Sequence, residues 1–418
     1  MKPSILTTAL ANFDKAAGLL DGQVDSHLLD KVRHPKERIE LRLVPQLQDG
    51  HLRVFDAFIV RHSDALGPAN GGIRMTPDVT LDDVTGLAME MAWKCALIGA
   101  PFGGGKSGIV ADADALSDFD KQSLVRNFAR NATRHIGPQV YVPAPDMGTN
   151  ERDMGYIKDA ISYGQGLATT QGCYVTGKPV ILGGISGRRE ATGRGVAMCI
   201  AEAMKIRKIK PDGATAIVQG FGNVGAVAAA TLAEMGLDIV GISDIRGATF
   251  NAKGLDLKAL TAHHAQAGTV AGFDGGEDIG GDPLLEQKCD VLVPAAAAGQ
   301  INAGNAGRIT ASILAEGANS PTTPEADAVL AERDILVIPD ILCNAGGVFV
   351  SYLEYTQETQ QEQMTLEQVQ DRLRRRMRDR FEMVLTLAKE KNIHMREAAM
   401  MLAVRTVCEA VTAKGYLP

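Results

Sequence analysis

The sequence has no CxxC pair, no long apolar run and no surplus of positive charge, and each absence removes a class of function. Its six cysteines, Cys95, Cys173, Cys199, Cys289, Cys343 and Cys408, are scattered, with no His/Cys grouping at metal-ligand spacing. A reducing compartment and no bound metal are the expectation. No stretch reaches the ~18 uninterrupted apolar residues of a spanning helix. The opening segment MKPSILTTALANFDKAAGLL is broken by Asn12, Asp14 and Lys15, so it reads as an amphipathic helix and not as a signal peptide, which makes a cytoplasmic location the expectation. The formal net charge is −7, and bases are interspersed with acids, which leaves no footprint for nucleic acid or an anionic membrane. The one dense basic run, Arg372, Arg374, Arg375, Arg376, Arg378 and Arg380, lies in a polar helical stretch and reads as a solvated or subunit-facing helix.

What is present is an ordinary globular composition, 45% hydrophobic and 22% charged. The length suits two domains of ~100 to 200 residues each, and two domains imply a cleft. From 214 to 339 short apolar runs alternate with helical patterns, the signature of a doubly wound parallel sheet. The candidate strands are Ala214 to Gln219, Leu237 to Ser243, Cys289 to Pro294, Ile313 to Glu316 and Ile335 to Pro339. Between the first two lies an Ala-rich helix that ends at Gly236, a glycine C-cap. The first half differs: LRVFDAFIVR at 52–61 alternates apolar and polar residues, then come helices and Gly-rich loops. LGGISGRREATGRG, beginning at Leu182, joins the two regions and suits a hinge. After Asn344 the chain is helical to its end, and the final helix is expected to bury its apolar face on the first domain. The fold class is therefore α/β, with residues 1–185 and 395–418 forming one α/β domain and 186–394 a Rossmann-type doubly wound domain.

Gly220-Phe221-Gly222-Asn223-Val224-Gly225 follows an apolar strand and opens a helix. In that context the first glycine permits the tight turn, the second lets backbone approach a pyrophosphate, and the third allows close helix–strand packing, while the helix N-terminus attracts negative charge. The next strand ends at Asp244, about 20 residues on, where a carboxylate bonds the adenosine ribose hydroxyls of NAD and repels a 2′-phosphate. Arg246 can pair with that phosphate, so NADP, or use of both cofactors, stays open.

Ala100-Pro-Phe-Gly-Gly-Gly-Lys106-Ser-Gly resembles a P-loop, but the spacing fails. GxxxxGK[ST] needs glycine where Ala100 stands and a strand before it, whereas LDDVTGLAMEMAWKCALIG is helical by its period. The more economical reading brings Lys94, on that helix, and Lys106, in the glycine loop, onto one small anionic substrate. One ammonium holds a carboxylate; the other, its pKa lowered by burial and by its neighbour's charge, is partly neutral and transfers protons. Tyr141-Val-Pro-Ala-Pro-Asp146-Met-Gly-Thr-Asn150 puts an aspartate in a proline-braced loop, where it can exchange protons with an amine. Taken alone, a lysine is as often a solvated charge, and an aspartate in a turn more often bonds its own backbone.

GPANGGIR (67–74), MAWKCALIGAPFGGGKSGI (91–109), VPAPDMGTNERDM (142–154), TGKPVILGGISGRREATGRG (176–195), IVQGFGNVG (217–225), AEGANSPTT (315–323) and NAGGVFVSYLEYTQ (344–357) occur in order. Together they resemble the glutamate, leucine, phenylalanine and valine dehydrogenases over roughly residues 35 to 415. The resemblance implies a substrate-binding and oligomerisation domain at 1–185 and 395–418, a dinucleotide-binding domain at 186–394, a closing cleft and a homohexamer. It implies that Lys94 holds the substrate α-carboxylate, Lys106 is the catalytic lysine and Asp146 the proton-transfer aspartate. Ala144, Thr192, Val348 and Ser351 fall where the family lines the side-chain pocket, and Asn319 and Asn344 where it contacts the nicotinamide ribose. The implied cofactor-binding set is completed by Gly220, Gly222, Asn223, Val224, Gly225, Asp244 and Arg246. The implied reaction is hydride transfer from Cα to NAD or NADP, water attack on the iminium, and release of a 2-oxo acid and ammonium.

Two departures stand out. Glutamate-specific members carry lysine directly before GGIR, where it neutralises the substrate's side-chain carboxylate; this chain has Asn70. Replacing a charge-assisted hydrogen bond by a neutral one costs ~1 kcal/mol or more, several-fold to a hundredfold in discrimination. Leucine and phenylalanine enzymes are apolar here, so Asn70 matches neither group, while Ser351, the hydroxyl partner in glutamate enzymes, is kept. The second departure is Pro294-Ala-Ala-Ala-Ala-Gly-Gln300, where the family has a bulkier polar stretch. Three readings follow: a glutamate dehydrogenase, a dehydrogenase for another polar or uncharged amino acid, and an amino-acid-sensing subunit of a hetero-oligomer. Lys94, Lys106 and Asp146 together speak against the third.

Overall fold

A computed structural model describes residues 4–166 and 172–415; the first three residues of the expected N-terminal helix lie outside these. Two units emerge, Met1–Arg188 with Val348–Val369 and Met400–Pro418, and Arg189–Gly347 with Gln370–Ala399. The boundary at Arg188 falls inside the Gly-rich connection, three residues beyond the expected one.

The first unit runs α1 (Ile5–Leu19), α2 (Ser26–Arg33), β1 (Glu37–Leu43), β2 (Phe55–Ser63), β3 (Ala69–Thr76), α3 (Leu81–Ile98), β4 (Gly103–Val110), α4 (Asp118–Asn131), β5 (Tyr141–Pro145) and α5 (Glu151–Gly164). Its five strands form one sheet in the order β1-β2-β4-β3-β5. The period-two alternation in β2 divides its side chains between two cores. Ala57 and Ile59 join Ile73, Phe128 and Ile157 on the face covered by α4 and α5, and Val60 joins Val84 and Ala88 of α3 on the other. Buried residues lie nearly all round α3, as expected for a central helix. Capping boxes at Thr80 with Asp83 and at Asn150 with Asp153 start α3 and α5.

The glycine run at 103–105, expected as a loop, is part of strand β4. Its glycines serve packing: a Cβ at Gly104 would lie 2.3 Å from the Ala88 carbonyl oxygen of α3, and one at Gly105 2.9 Å from the Tyr141 ring. Bare backbone lets α3 settle directly on the strand, and Lys106 is therefore held in a sheet.

The second unit holds α6 (Ala191–Arg207), β6 (Thr215–Gln219), α7 (Asn223–Glu234), β7 (Asp238–Ser243), β8 (Ala248–Phe250), α8 (Leu257–Ala267), β9 (Glu277–Ile279), α9 (Gly281–Leu285), β10 (Val291–Pro294), β11 (Ile313–Ala315), α10 (Pro324–Glu332), β12 (Leu336–Ile338) and α11 (Asp340–Cys343). All five candidate strands appear here within two residues of their expected bounds. Strand order is β12-β11-β10-β6-β7-β8-β9. The first five are parallel, and β8 and β9 extend the sheet antiparallel. Order reverses between β6 and β10, the switch point at whose carboxyl edge open α/β sheets bind ligands.

The remaining helices are α12 (Gly346–Gln360), α13 (Leu366–Lys391) and α14 (Met395–Lys414). Among the described residues no helix is long and apolar enough to cross a membrane. From Met400 onward α14 belongs to the first unit, where Lys414 Nζ donates to the Asp64 carbonyl at 2.9 Å. The expected division put all of 186–394 in one domain, but Val348–Val369 lies with the first unit. The reason is electrostatic. Glu354 on α12 is fully buried and takes Lys178 Nζ at 2.6 Å and the Gly177 N–H at 2.9 Å, while Glu358 takes Lys158 at 2.7 Å. Burial alone would depress the Lys178 pKa, yet Glu354 and Glu358 hold it above the ordinary lysine value. Lys178→Met leaves the fully buried Glu354 without a cation, so it should cost ~3 to 5 kcal/mol. Urea unfolding followed by circular dichroism measures this, and a loss under about 1 kcal/mol would show that the pair does not hold α12 to its unit.

Candidate active site

In the first unit β3 lies between β4 and β5, parallel to both. Asn70, Gly72 and Arg74 alternate along it and share one face. Asp146 follows directly on β5, and its Cβ lies so close over Gly72 that a Cβ there would be 2.6 Å away. From this position the carboxylate takes Arg74 Nε at 2.9 Å and Lys106 Nζ at 3.2 Å. Thr149 fixes the turn, its Oγ1 accepting from the Asp146 N–H and donating to the Ile73 carbonyl. Lys106 and Asp146, 40 residues apart in sequence, are thus brought into contact.

Only 5% of Lys106 is exposed. Burial lowers its pKa; Asp146 pulls it back up, and the positive charges of Arg74 and Lys94 add to the lowering. For Asp146 burial works to raise the pKa, but Lys106 and Arg74 outweigh it and hold the group ionised. The result is a carboxylate beside a lysine that gives up its proton more readily than a free one, which is the composition of a proton-transfer pair. Sequence reasoning missed Arg74, although strand parity with Asn70 was a signal that could have placed it.

Asn70 is 1% exposed and its Nδ2 donates to the Val142 carbonyl at 2.8 Å. One of its two amide hydrogens is thereby spent on the sheet. Ala144 is buried on β5, and Lys94 is partly buried on α3. On α12, Val348 and Ser351 are three residues apart and share a face. Ser351 Oγ accepts a 2.8 Å hydrogen bond from Nε of Arg188, a second residue the sequence reading passed over. Burial lowers the Arg188 pKa, and the negative charges of Glu354 and Glu151 counter it. No carboxylate among the described residues lies within ion-pair distance of that guanidinium. Inside TGKPVILGGISGRREATGRG, Arg188 was read as part of a hinge, and only folding reveals it beside Ser351.

The second unit carries the dinucleotide turn. Gly220 has φ +95°, and a Cβ there would meet the Ala295 carbonyl at 2.9 Å, while one at Gly225 would be 1.8 Å from the Gly220 oxygen. At Gly222 an added Cβ would meet nothing within 4 Å. Asn223 and Val224 begin α7, whose first turn has no side-chain cap and no acidic residue. Its orphan N–H groups and open backbone suit a phosphate. Asn344 spreads its Nδ2 over Asn319 Oδ1 at 3.0 Å and the carbonyls of Ala318 and Gly317, and its buried Oδ1 has no protein partner. These features fit a dinucleotide.

Asp244 departs from the expected pattern. Oδ1 accepts from Arg246 N, Gly247 N and Thr269 Oγ1, and Oδ2 from Val270 N at 2.6 Å. Burial would raise its pKa, but these donors lower it. The carboxylate is largely engaged by its own loop, and Arg246 is exposed beside it, with Nη1 on the Ala267 carbonyl at 3.3 Å. Thr192 stands at the second position of α6, partly buried.

Asp146→Asn removes the charge that raises the Lys106 pKa, so the pKa should fall further. Mass-spectrometric labelling of Lys106 with an amine reagent across a pH series should show its midpoint at lower pH in the variant. A midpoint that stays or rises would mean the two groups are not coupled.

A family profile described as Glutamate/Leucine/Phenylalanine/Valine dehydrogenase matches residues 183–415, and one described as Glu/Leu/Phe/Val dehydrogenase, dimerisation domain, matches 35–163. Glutamate dehydrogenase of Thermotoga maritima is 44% identical over 416 residues, 99% of each chain. NAD-specific glutamate dehydrogenase of Staphylococcus aureus is 38% identical, over 94% of each. Among solved structures, the hetero-hexameric glutamate dehydrogenase from Thermus thermophilus in its leucine-bound form superimposes with a TM-score of 0.94 at 32% identity, covering 100% of this chain and 99% of that one. Glutamate dehydrogenase from Peptoniphilus asaccharolyticus gives 0.88 at 34% identity, covering 99% and 100%.

Proposed function

The chain belongs to the glutamate/leucine/phenylalanine/valine dehydrogenase family and is an NAD(P)-dependent amino-acid dehydrogenase, and we propose that its substrate is L-glutamate, converted reversibly to the 2-oxo acid and ammonium. The observation that carries the chemistry is the buried Lys106–Asp146 contact at 3.2 Å. The substrate is assigned on the names of the relatives and on the charge beside Ser351.

In this reading the first unit binds the amino acid and the second the cofactor. Gly220, Gly222, Asn223, Val224 and Gly225 would hold the pyrophosphate, Asn319 and Asn344 the nicotinamide ribose, and Asp244 and Arg246 would border the adenosine ribose. Bound NAD or NADP supplies the hydride acceptor. Lys94 pairs with the α-carboxylate. Lys106, in its neutral form, takes the proton of the water that adds to the carbon–nitrogen double bond. Asp146 holds and returns protons at the amine nitrogen, and Arg74 keeps that carboxylate ionised between turns. Ala144 and Val348, both in the first unit, line the side-chain pocket. Because the Asp244 oxygens are engaged by their own loop and Arg246 is exposed, use of both cofactors fits the site better than strict exclusion of NADP. Assembly into hexamers is supported by the hetero-hexameric relative and by the dimerisation domain of the family. A cytoplasmic location fits six buried, unpaired thiols.

Asn70 cannot stand in for lysine, since it carries no charge and one N–H is committed to Val142. Arg188 supplies the missing cation, with Ser351 as its hydroxyl partner. Initial rates for a panel of L-amino acids, run with NAD and NADP separately, should put glutamate first. Their rise with pH should come below the ordinary lysine range, because the neutral Lys106 forms as pH climbs through a lowered pKa. If no amino acid reduces either cofactor, the assignment is wrong. Arg188→Met should cut kcat/KM for glutamate about ten- to hundredfold, the worth of one charge-assisted hydrogen bond, and leave neutral amino acids nearly unaffected. Equal losses for both would remove Arg188 from the side-chain pocket.

A further inference from the structure

Arg396 opens α14, where a cation faces the positive end of the helix dipole, yet it is 80% buried. Three carboxylates offset that cost. Glu316, at the end of β11 and fully buried, takes Nη1 at 2.9 Å and Nη2 at 2.7 Å. Asp327 on α10 takes Nε at 2.6 Å and Nη2 at 3.1 Å, and Asp340, at the start of α11, takes Nη1 at 3.4 Å. A planar guanidinium with five donors matches this arrangement; an ammonium would not. The partners lie 80, 69 and 56 residues away in sequence, and all four groups are in the second unit.

The two carboxylates at either end of the clamp also hold backbone. Glu316 Oε2 accepts from Asp340 N, and Asp340 Oδ2 accepts from Ser320 N, both at 2.8 Å. Ser320 is a non-glycine residue at φ +47°, a conformation that needs support from its surroundings. The stretch Gly317–Ser320 is therefore pinned at both ends by carboxylates that Arg396 orients. Asn319 lies within it, and Asn344 hydrogen-bonds to Gly317, Ala318 and Asn319.

We infer that Arg396 is a positioning residue for the nicotinamide half of the cofactor: through Glu316 and Asp340 it sets the Gly317–Ser320 loop and, with it, Asn319 and Asn344. The inference rests on the reading that this loop contacts the nicotinamide ribose. Its signature is selectivity within the dinucleotide. Among the described residues the Gly220–Gly225 turn, on β6 and α7, shares no hydrogen bond with the clamp, and its approach to the loop is the apolar one of Val224 to Gly317, so the adenosine diphosphate half depends on the clamp far less than the nicotinamide half.

Titration calorimetry of the full chain with NAD and with ADP tests this, alongside steady-state kinetics. In Arg396→Gln the Kd for NAD should rise at least tenfold and that for ADP less than twofold, with KM for the amino acid unchanged. Asp327→Asn, at the more exposed arm, should show the same split at about threefold, and it decides the matter alone if the arginine variant does not fold. NAD and ADP weakening together, or neither changing, would overturn the inference. A wild-type chain that binds ADP but not NAD or NADP would instead sink the cofactor reading and this inference with it.

Discussion

A lysine buried in a β-sheet must either lose its proton or find a carboxylate, and the first unit is arranged around that requirement. Lys106 finds Asp146. Asp146, itself buried, is held ionised by a second cation as well, Arg74 from the neighbouring strand. The contact is made possible by glycines at 103–105, just before Lys106, and at 108, because Gly104 and Gly108 let α3 press onto bare backbone. Polar pairs this deep are costly when incomplete, and Thr149 closes the turn at 146–149 by bonding both the Asp146 N–H and the Ile73 carbonyl. The arrangement is stable and reactive for the same reason: burial lowers the lysine pKa while the carboxylate keeps the lowering from running to completion.

The second unit solves a different problem, the reception of negative charge without a fixed positive one. At the head of α7 the protein offers unpaired backbone N–H groups and an open glycine face. A few residues away the same sheet edge is rigidly built, with Asp244 engaged by its own loop and Glu316 locked to Arg396. Open donors placed between carboxylates that are already engaged make that turn the preferred place for an anion on this edge.

Much of this was legible. Five of the seven strands of the second unit are short apolar runs, and they appear within two residues of where those runs begin and end. The Gly220–Gly225 turn was readable because strand, glycine spacing and helix must coincide for it to exist. Three things were not. The run at 103–105 looks like a loop because glycine is ambiguous: it marks a turn or a surface that a neighbour must approach, and only the position of α3 decides. Helix α12 was assigned to the wrong unit because Lys178 and Glu354 are 176 residues apart, and no local pattern announces a buried pair. Arg188 and Arg396 are single cations whose meaning depends on partners brought from elsewhere in the chain.

The exchange of lysine for Asn70 becomes less puzzling in this light. A side-chain carboxylate needs a cation nearby, not a cation at one particular backbone position. Asn70 hydrogen-bonds the adjoining strand, and a lysine there would have placed a third ammonium near Lys94 and Lys106, lowering the Lys106 pKa further. In the proposed reading the charge is carried by Arg188, which is joined to Ser351 and lies in the fields of Glu354 and Glu151, and recognition of the substrate's far end would be separated electrostatically from the proton chemistry at its near end. A guanidinium also stays charged at any pH at which Lys106 titrates, so binding of the side-chain carboxylate does not vary as the catalytic lysine gains and loses its proton.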